Sequence, residues 1–424
     1  VFAATLAAQY GLNKVLSFDM GGTTAKICLI KNKTPKTARV FEVARSYRFK
    51  KGSGMPISIP VIDMVEIGAG GGSLAHVDPL GQIRVGPESA GSEPAPACYG
   101  RGGTRPAVTD ADLILGKLDP DSFAGGAIRL SIADAKTAMI GTLGQSLDMD
   151  AVTAAFGLAE VVDENMANAA RVHAVENGED LAEYTMIAFG GAAPLHAARL
   201  CEKLGITRCL IPKGAGVGSA IGFLRAPFSF EANRSVYMRL SDLSPETVQD
   251  LFTELEAEAT GFVRSCDATA PIKAEHKIYM RYVGQGWEIP VSLTAAQAAH
   301  PDAETYLKLF EADYTRLFGR VVDGLDIEIT VWSVNAATPT ATVTLVKPLT
   351  EVTSAKSADH RQMFDAALGN MTTARVTARS GLVPGDRICG PAIITEDETT
   401  IIIPSSRRAT VQNDGTVDIE RVTA

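Results

Sequence analysis

The segment "VLSFDMGGTTAKICLI" at residues 15–30 restricts the possible folds more than any other part of the chain. An apolar run reaches Asp19, is interrupted by two glycines and two threonines, and then becomes apolar again. This pattern predicts two paired strands joined by a tight turn. Because glycine has no Cβ, the same turn also exposes successive backbone N–H groups that suit a phosphate. Taken alone, the segment fits a simple hairpin and a phosphate-binding loop about equally well.

The side chains around this turn support a definite chemical prediction. Asp19 ends the first strand, where a carboxylate can hold Mg²⁺, a cation usually bound through one or two carboxylates, waters and phosphate oxygens. We therefore predict that Asp19 is a metal-binding and catalytic residue. The residues of the turn that are predicted to contact phosphate are Gly21, Gly22, Thr23 and Thr24.

A second glycine pair lies in "MIAFGGAAPLHAARLCEKLGI", which predicts a buried strand, a turn, and a helix with Pro194 near its start. Glycines between a strand and a helix let a phosphate or a flat ring approach the backbone closely. Tight packing of the strand against the helix requires small residues as well, so this segment alone leaves both interpretations open. The predicted nucleotide contacts here are Gly190, Gly191, Ala192 and Pro194.

The order of the two loops is more specific than either loop alone. "D-x-G-G-T-T" between two strands, followed much later by "G-G-A-x-P", resembles the second half of the actin, sugar-kinase and heat-shock-chaperone ATPase superfamily. In that superfamily the first pattern is the phosphate-2 hairpin and the second is the adenosine loop. The resemblance implies an α/β domain with the ribonuclease H-like fold of actin-like ATPases.

A closer resemblance, to the hydantoinase A/oxoprolinase family, extends as far as residue 340 in strings such as "FDMGGTTAK", "EIGAGGGSLAHVD", "PACYGRGGTRPAVTDADL" and "RYVGQGWEIPV". It implies an ATP-binding subunit that uses ATP and Mg²⁺ to phosphorylate a cyclic amide, such as a hydantoin, oxoproline or lactam, before hydrolysis. An acetone- or acetophenone-type ketone carboxylase subunit and a non-catalytic scaffold of the same fold are the alternatives. The implied partner is a second subunit of the hydantoinase B type, within a hetero-oligomer.

A third glycine-rich loop, "GGGS", is expected to line the same cleft. Its residues are Gly70, Gly71, Gly72 and Ser73. His76 follows the loop and is the second catalytic candidate; a surface histidine that only makes a hydrogen bond is the competing interpretation.

The family and its superfamily carry another D-x-G-G-T hairpin upstream, whereas this sequence contains one such motif. The sequence therefore holds half of an ATP site. Because residue 1 falls within a predicted helix, we expect the other half in an upstream segment, with another chain as the alternative source. On this expectation the 424 residues do not turn over ATP without that segment and the partner subunit.

The pattern of predicted elements divides the chain into three parts. Residues 1–228 are predicted to form the second half of the actin-like domain, with a Gly/Pro-rich insertion at 61–109. Residues 229–345 are predicted to be α+β, and residues 346–424 to be a β-rich domain. Within these parts we expect a hairpin turning at Asp78–Gly81, a pair of helices over 148–178, a helix over Pro245–Phe262 capped by Ser244, and a strand in "ATVTLVKPL".

The overall charge and the cysteine pattern limit the partners and the compartment. A net charge of −9 and a pI near 5.3 argue against nucleic acid as a partner. No apolar run approaches the roughly 18 residues of a membrane span. The six cysteines form no CxxC pair, which in a chain of this length indicates reduced thiols in a cytoplasmic protein.

Four further residues attract attention because of their positions. His196 lies in the first turn after the adenosine loop, where a helix N-terminus is expected to disfavour its protonated form. Cys98, in "PACYGRGG", is a catalytic or metal-binding candidate, with an inert thiol as the alternative. Asp110 and Asp112 are predicted to cap a following helix.

Overall fold

The computed structural model describes residues 1–44, 46, 52–340, 343–355 and 359–422. The chain forms two compact units, which are described separately. The first unit combines residues 1–224 with residues 343–424, and the second comprises residues 225–342.

The strands, in chain order, are β1 (Lys14–Met20), β2 (Ala25–Lys31), β3 (Thr34–Pro35), β4 (Thr37–Val43), β5 (Met55–Ile62), β6 (Met64–Ile67), β7 (Ser73–Val77), β8 (Ile83–Ser89), β9 (Thr185–Phe189), β10 (Arg208–Ile211), β11 (Ser229–Arg234), β12 (Met238–Arg239), β13 (Lys273–Tyr282), β14 (Ile289–Leu293), β15 (Ile327–Ala337), β16 (Thr353–Ser354), β17 (Asp359–Asp365), β18 (Asn370–Ala378), β19 (Asp386–Cys389), β20 (Ala392–Thr395), β21 (Thr400–Ile403), β22 (Arg407–Val411) and β23 (Val417–Arg421).

The α-helices are α1 (Phe2–Gln9), α2 (Val108–Ile114), α3 (Ile132–Met139), α4 (Gln145–Leu147), α5 (Ala151–Glu176), α6 (Ala193–Leu204), α7 (Gly218–Leu224), α8 (Pro245–Cys266), α9 (Ala295–Ala299) and α10 (Ala303–Phe318).

The first unit is built on a sheet whose centre is β1. This strand pairs antiparallel with β2 and parallel with β9, and β9 pairs parallel with β10. On its far side β2 pairs antiparallel with β3 and β6. Antiparallel strands on one side of β1 and parallel strands on the other give the strand arrangement of the predicted ribonuclease H-like domain. The predicted hairpin has its last strand pair at Met20 and Ala25, which leaves four residues for the turn.

The chain's last strands extend this sheet. β23 pairs antiparallel with β10, and β22, β19 and β16 continue outward. The Arg208 guanidinium on β10 donates to both carboxylate oxygens of Asp418 on β23, at 3.0 and 2.8 Å. The structure thus differs from the predicted three-part division, because the segment 346–424 belongs to the same compact unit as residues 1–224.

Two predicted elements are wrong. The expected pair of helices over 148–178 is the single 26-residue helix α5, which begins after Asp150 accepts a hydrogen bond from the Thr153 N–H. Gly157 does not break the helix. It lies where α5 packs closely against β8, and an added Cβ there would lie 3.0 Å from Ile83 Cδ1. The described part of "ATVTLVKPL", residues 343–349, contains no strand.

The second unit is an antiparallel sheet of five strands in the order β11-β15-β13-β14, with β12 also paired to β15. Helices α8 and α10 contribute their apolar residues to the core around Trp332. The predicted cap of α8 is confirmed, because the Ser244 hydroxyl accepts from the Thr247 N–H. No helix in the described ranges is long and apolar enough to cross a membrane.

Candidate functional site

A cleft of about 960 Å³ lies in the first unit, where the three glycine-rich loops meet the C-terminal segment. Its volume is at the upper end of the range for small-molecule sites, roughly 300–1,000 Å³. The predicted residues that line it are Gly21, Gly22, Thr23, Gly71, Gly72, Gly191 and Ala192. The other predicted loop residues (Thr24, Gly70, Ser73, Gly190 and Pro194) support these loops without lining the cleft.

The hairpin turn presents unpaired donors to this cleft. The Gly21 N–H donates to the Thr24 carbonyl at 3.1 Å and closes the turn. Gly22 and Thr23 are exposed at its tip. Among the described residues, neither the Gly22 N–H nor the Thr23 N–H has an acceptor in the protein. Two adjacent free N–H groups at a glycine turn are well suited to bind an anion.

The triple-glycine loop holds the hairpin turn through two backbone hydrogen bonds. The Gly71 N–H donates to the Gly21 carbonyl at 3.0 Å, and the Gly72 N–H donates to the Gly22 carbonyl at 2.7 Å. The Gly70 N–H donates to the Ser73 hydroxyl at 2.9 Å. All three N–H groups are therefore used within the protein, and this loop offers a ligand close backbone approach rather than hydrogen-bond donors.

The adenosine loop contacts the end of β1 directly. Gly190 has a φ of +101°, and an added Cβ would lie 2.4 Å from the Met20 carbonyl oxygen and 2.5 Å from Asp19 Oδ1. The Ala192 N–H donates to the same Met20 carbonyl at 3.0 Å. Glycine is required at position 190 because both the backbone conformation and the close contact exclude a side chain. Gly191 is exposed to the cleft.

Asp19 lies on β1, one residue before the end of the strand; it is half-buried and does not line the cleft. Its Oδ2 accepts a hydrogen bond from the Ser219 hydroxyl at 2.6 Å, and its Oδ1 faces Gly190. The described ranges contain no group of three or more His, Cys, Asp or Glu side chains arranged so that it could hold a metal ion. A single carboxylate beside a phosphate loop still fits Mg²⁺, whose remaining ligands are usually phosphate oxygens and waters.

His76 stands apart from these groups. It lies on β7, opposite Arg84 on β8, with its side chain exposed, and it does not line the cleft. The hairpin predicted around Asp78 is confirmed by the pairing of β7 with β8.

Sequence reasoning missed one wall of the cleft, which the C-terminal segment at residues 395–400 forms. The Thr399 hydroxyl donates to the Gly191 carbonyl at 2.9 Å. At Gly216, in the loop after β10, a Cβ would lie 2.3 Å from Glu398 Cβ. The signal in the sequence is "TEDETT", a run of three carboxylates between two isoleucine-rich strands.

Arg379 holds this wall in place. Its guanidinium pairs with Glu396 at 2.5 Å and donates to the carbonyls of Ile211 and Gly415 at 3.1 and 2.7 Å. Burial raises the pKa of the Glu396 carboxyl, and the ion pair with Arg379 opposes this effect.

The cysteine-containing loop is fixed by Asp110. The predicted cap is confirmed for Asp110, whose carboxylate accepts from the Ala107 N–H at the start of α2, and is wrong for Asp112, which lies within α2 and pairs with Lys117. The Asp110 carboxylate accepts hydrogen bonds from the N–H groups of Ala97, Cys98 and Ala107. Burial and the nearby Asp110 carboxylate raise the pKa of the Cys98 thiol far above its ordinary value, so Cys98 is not a thiolate nucleophile in this structure.

The prediction for the charge of His196 is also wrong. Its Nδ1 lies 2.8 Å from Asp163 Oδ1 and its Nε2 lies 3.2 Å from Asp112 Oδ2. Burial lowers the pKa of the imidazole, but the two carboxylates outweigh burial and raise it to about 9. Two full negative charges within contact distance outweigh the partial charge of the helix N-terminus.

Comparison with known proteins identifies the family. The hydantoinase/oxoprolinase family model matches residues 1–232, and the model of the hydantoinase/oxoprolinase C-terminal domain matches residues 241–420. The chain belongs to the hydantoinase/oxoprolinase family. The resemblance predicted from the motifs is therefore confirmed.

The relatives are longer than this chain. An uncharacterized protein of Methanocaldococcus jannaschii is 35% identical over 96% of this chain and 59% of its own length. The caprolactamase subunit alpha of Pseudomonas jessenii is 30% identical, over 98% of this chain and 59% of the relative. The chain thus spans about three fifths of the length of these relatives.

Two solved structures show the same fold. The nucleotide-free structure of acetone carboxylase, an enzyme of ATP-dependent acetone carboxylation, matches with a TM-score of 0.81 and 23% identity, over 99% of this chain and 60% of that chain. The ATP-dependent caprolactamase from Pseudomonas jessenii matches with a TM-score of 0.78 and 28% identity, over 100% of this chain and 61% of that chain. The predicted actin-like ATPase fold is confirmed.

Proposed function

We propose that this chain provides the phosphate-2 hairpin and the adenosine loop of the ATP site of an ATP-dependent hydantoinase/oxoprolinase-type amidohydrolase subunit. The observation that carries the proposal is the convergence of free backbone donors on one cleft. Besides the Gly22 and Thr23 N–H groups, the Gly191 N–H has no acceptor within the described part of the chain. The match to an ATP-dependent caprolactamase supports the same assignment.

In the proposed site, Gly22 and Thr23 donate hydrogen bonds to the nucleotide phosphates. Gly191 and Ala192 let the adenosine approach the backbone closely. Asp19, fixed by Ser219, would hold Mg²⁺, which supplies positive charge to the phosphates when it is bound. The rest of the phosphate site is expected from an upstream segment, as the motif count implies.

The proposed reaction activates a cyclic amide. The amide oxygen attacks the γ-phosphorus, a new P–O bond forms, and the bond between that phosphorus and ADP breaks. Water then adds to the activated amide carbon, and the ring C–N bond breaks as the nitrogen takes up a proton, which leaves an acyl phosphate. A second water displaces phosphate from this acyl phosphate, and both hydrolytic steps take place with a hydantoinase B-type partner subunit. Phosphoryl transfer depends mainly on positioning and charge stabilisation, which a rigid backbone cradle supplies. The proposed location is cytoplasmic.

Binding of Mg-ADP tests the nucleotide assignment. Isothermal titration of the complete polypeptide should show binding that Asp19→Ala weakens by roughly tenfold or more, the scale of losing a charge-assisted contact. Glu304→Ala is the control, because Glu304 pairs with Lys308 on an exposed face of the second unit. Full affinity in the Asp19 variant would refute the role of this carboxylate.

A ketone carboxylase is the second candidate, because a carboxylase shares the fold and the acetophenone carboxylase gamma subunit of Aromatoleum aromaticum is 27% identical over 99% of this chain. The intact complex should be incubated with ATP and a lactam or hydantoin, and separately with a ketone and labelled bicarbonate. Amide cleavage supports the hydrolase, and incorporated label supports the carboxylase. If neither substrate stimulates ATP hydrolysis, the chain is a scaffold with an ATPase fold.

A further inference from the structure

Four buried ionisable side chains form a cluster beside the cleft. His196 on α6 lies between Asp163 on α5 and Asp112 on α2, and Lys117 Nζ pairs with the other Asp112 oxygen at 2.8 Å. His196 is completely inaccessible to solvent, and both aspartates are almost completely buried. None of these residues takes part in the proposed chemistry.

The cluster is electrically neutral only when His196 carries a proton. Two carboxylates then face one imidazolium and one ammonium. With a neutral imidazole, the cluster would retain one uncompensated negative charge among buried side chains, which is strongly unfavourable. Because Asp112 also lines the cleft, that charge would repel an anionic ligand as well.

The cluster connects two sides of the site. At the start of α2, the Thr109 N–H and hydroxyl both donate to the Gly71 carbonyl at 2.8 Å. The Gly71 N–H in turn donates to the hairpin at Gly21. At the other end, His196 belongs to the helix that starts directly after the adenosine loop. The contact between His196 and Asp112 therefore joins the support of the phosphate hairpin to the adenosine helix.

We propose that His196, as an imidazolium, is a positioning residue that fixes α2 and the triple-glycine loop against the adenosine helix and keeps Asp112 neutralised beside the nucleotide. The proposal rests on the proposed ATP site. The hairpin and the adenosine loop already meet at the Met20 carbonyl. His196 adds the connection between the adenosine helix and α2, which carries the triple-glycine loop on the third side of the cleft. Its protonation state thereby controls nucleotide affinity.

The neighbouring charges form a separate balanced set. Glu160, on the same helix as Asp163, pairs with Arg199 at 2.7 Å and with Lys203 at 2.9 Å, and Lys203 also reaches Glu164 at 3.1 Å. These groups lie on α5 and α6, and their pairing leaves Asp112, Asp163 and Lys117 as the charges that face His196. Raising the pH toward 9 should therefore alter His196 before it disrupts the surrounding pairs.

The test is the affinity of the complete polypeptide for Mg-ADP between pH 7 and pH 10, with circular dichroism used to verify that the protein stays folded. We expect wild-type affinity to be constant near neutral pH and to fall as His196 loses its proton around pH 9. His196→Gln should bind about tenfold more weakly at pH 7, within the usual range of coupling between linked sites. Its affinity should not show the wild-type loss around pH 9.

Asp163→Asn is the second variant, and it keeps the proposal testable should His196→Gln not fold. Removing this carboxylate withdraws one partner of the imidazolium, so the pH at which affinity falls should move downward. The matched control is His276→Gln in the second unit, where a buried histidine contacts Glu256 at 3.2 Å. This control should retain the wild-type pH profile.

The possible results separate the two proposals. A wild-type affinity that does not change through pH 10 overturns the role of His196, as does an unshifted profile in Asp163→Asn. A folded His196→Gln variant with wild-type affinity has the same meaning. Absence of Mg-ADP binding at every pH refutes the proposed ATP site itself.

Discussion

Replacing Gly70 by alanine tests how the phosphate hairpin is held. An added Cβ would lie 2.5 Å from the Thr23 nitrogen, 2.6 Å from the Gly22 carbonyl carbon and 2.7 Å from its oxygen. All three are backbone atoms, so no side-chain rotation can relieve the contact. The triple-glycine loop and the hairpin must therefore move apart in Gly70→Ala.

The size of the effect follows from the contacts that this movement breaks. Two hydrogen bonds, from the N–H groups of Gly71 and Gly72 to the hairpin carbonyls, contribute about 0.5–1.5 kcal/mol each. Displacing well-packed backbone adds about 1–3 kcal/mol. We expect the free energy of unfolding of the first unit to fall by about 2–6 kcal/mol. Gly22→Ala, where a Cβ meets no atom within 4 Å, should change it by less than about 1 kcal/mol.

The positions of the tryptophans give this experiment an internal control. Trp287 and Trp332 are the two tryptophans of the chain, and both lie in the second unit. In urea titrations, tryptophan fluorescence should report an unchanged transition, while hydrogen exchange of first-unit amides should report the loss in Gly70→Ala. Equal losses in Gly70→Ala and Gly22→Ala, or no loss in either, would refute the reasoning.

Three further predictions concern the rest of the first unit. The pKa of His196 is raised from 6.5 to about 9, so the protonated imidazole contributes about 3 kcal/mol to the free energy of unfolding. This contribution should be complete below pH 6.5 and lost as the pH rises through 9. Urea titrations across this range, compared with those of His196→Gln, measure it. Arg379→Met should destabilise the unit by about 3 kcal/mol, because it leaves the Glu396 carboxylate without its cation. The same variant should also weaken Mg-ADP binding. Wild-type stability together with wild-type affinity would contradict the role of Arg379 in holding the wall. Iodoacetamide at pH 8 should label the exposed Cys266 and spare the buried Cys98, as peptide mass spectrometry would show; equal labelling would contradict the inert assignment of Cys98.

The elements predicted correctly from sequence are those specified by local pattern. The hairpin at residues 15–30 is recognisable because two apolar runs flank a glycine turn, and the structure pairs them in register from Lys14 with Lys31 to Met20 with Ala25. The start of α6 at Ala193, next to Pro194, and the cap of α8 at Ser244 depend on neighbours within a few residues. Such features need no knowledge of distant parts of the chain.

The features that sequence reasoning missed depend on contacts between distant residues. The pattern identified the glycines of residues 70–73, but it could not show that their N–H groups serve the hairpin instead of a ligand. The charge of His196 was predicted from its own helix, whereas Asp112 and Asp163, which determine it, come from two other helices. A titratable residue in a core takes its charge from all the elements around it, and one helix supplies only part of that field.

The C-terminal wall shows why the last segment cannot be a separate domain. β10 would be an open sheet edge without β23, and an exposed edge invites uncontrolled pairing. Pairing with β23 covers this edge and brings the segment at residues 395–400 to the adenosine loop, where Thr399 binds the Gly191 carbonyl. Gly216 must then lack a side chain, because Glu398 occupies the space that a Cβ would need. The same strand addition that covers the sheet edge therefore also supplies one wall of the cleft, which is why the candidate site needs residues from both ends of this sequence.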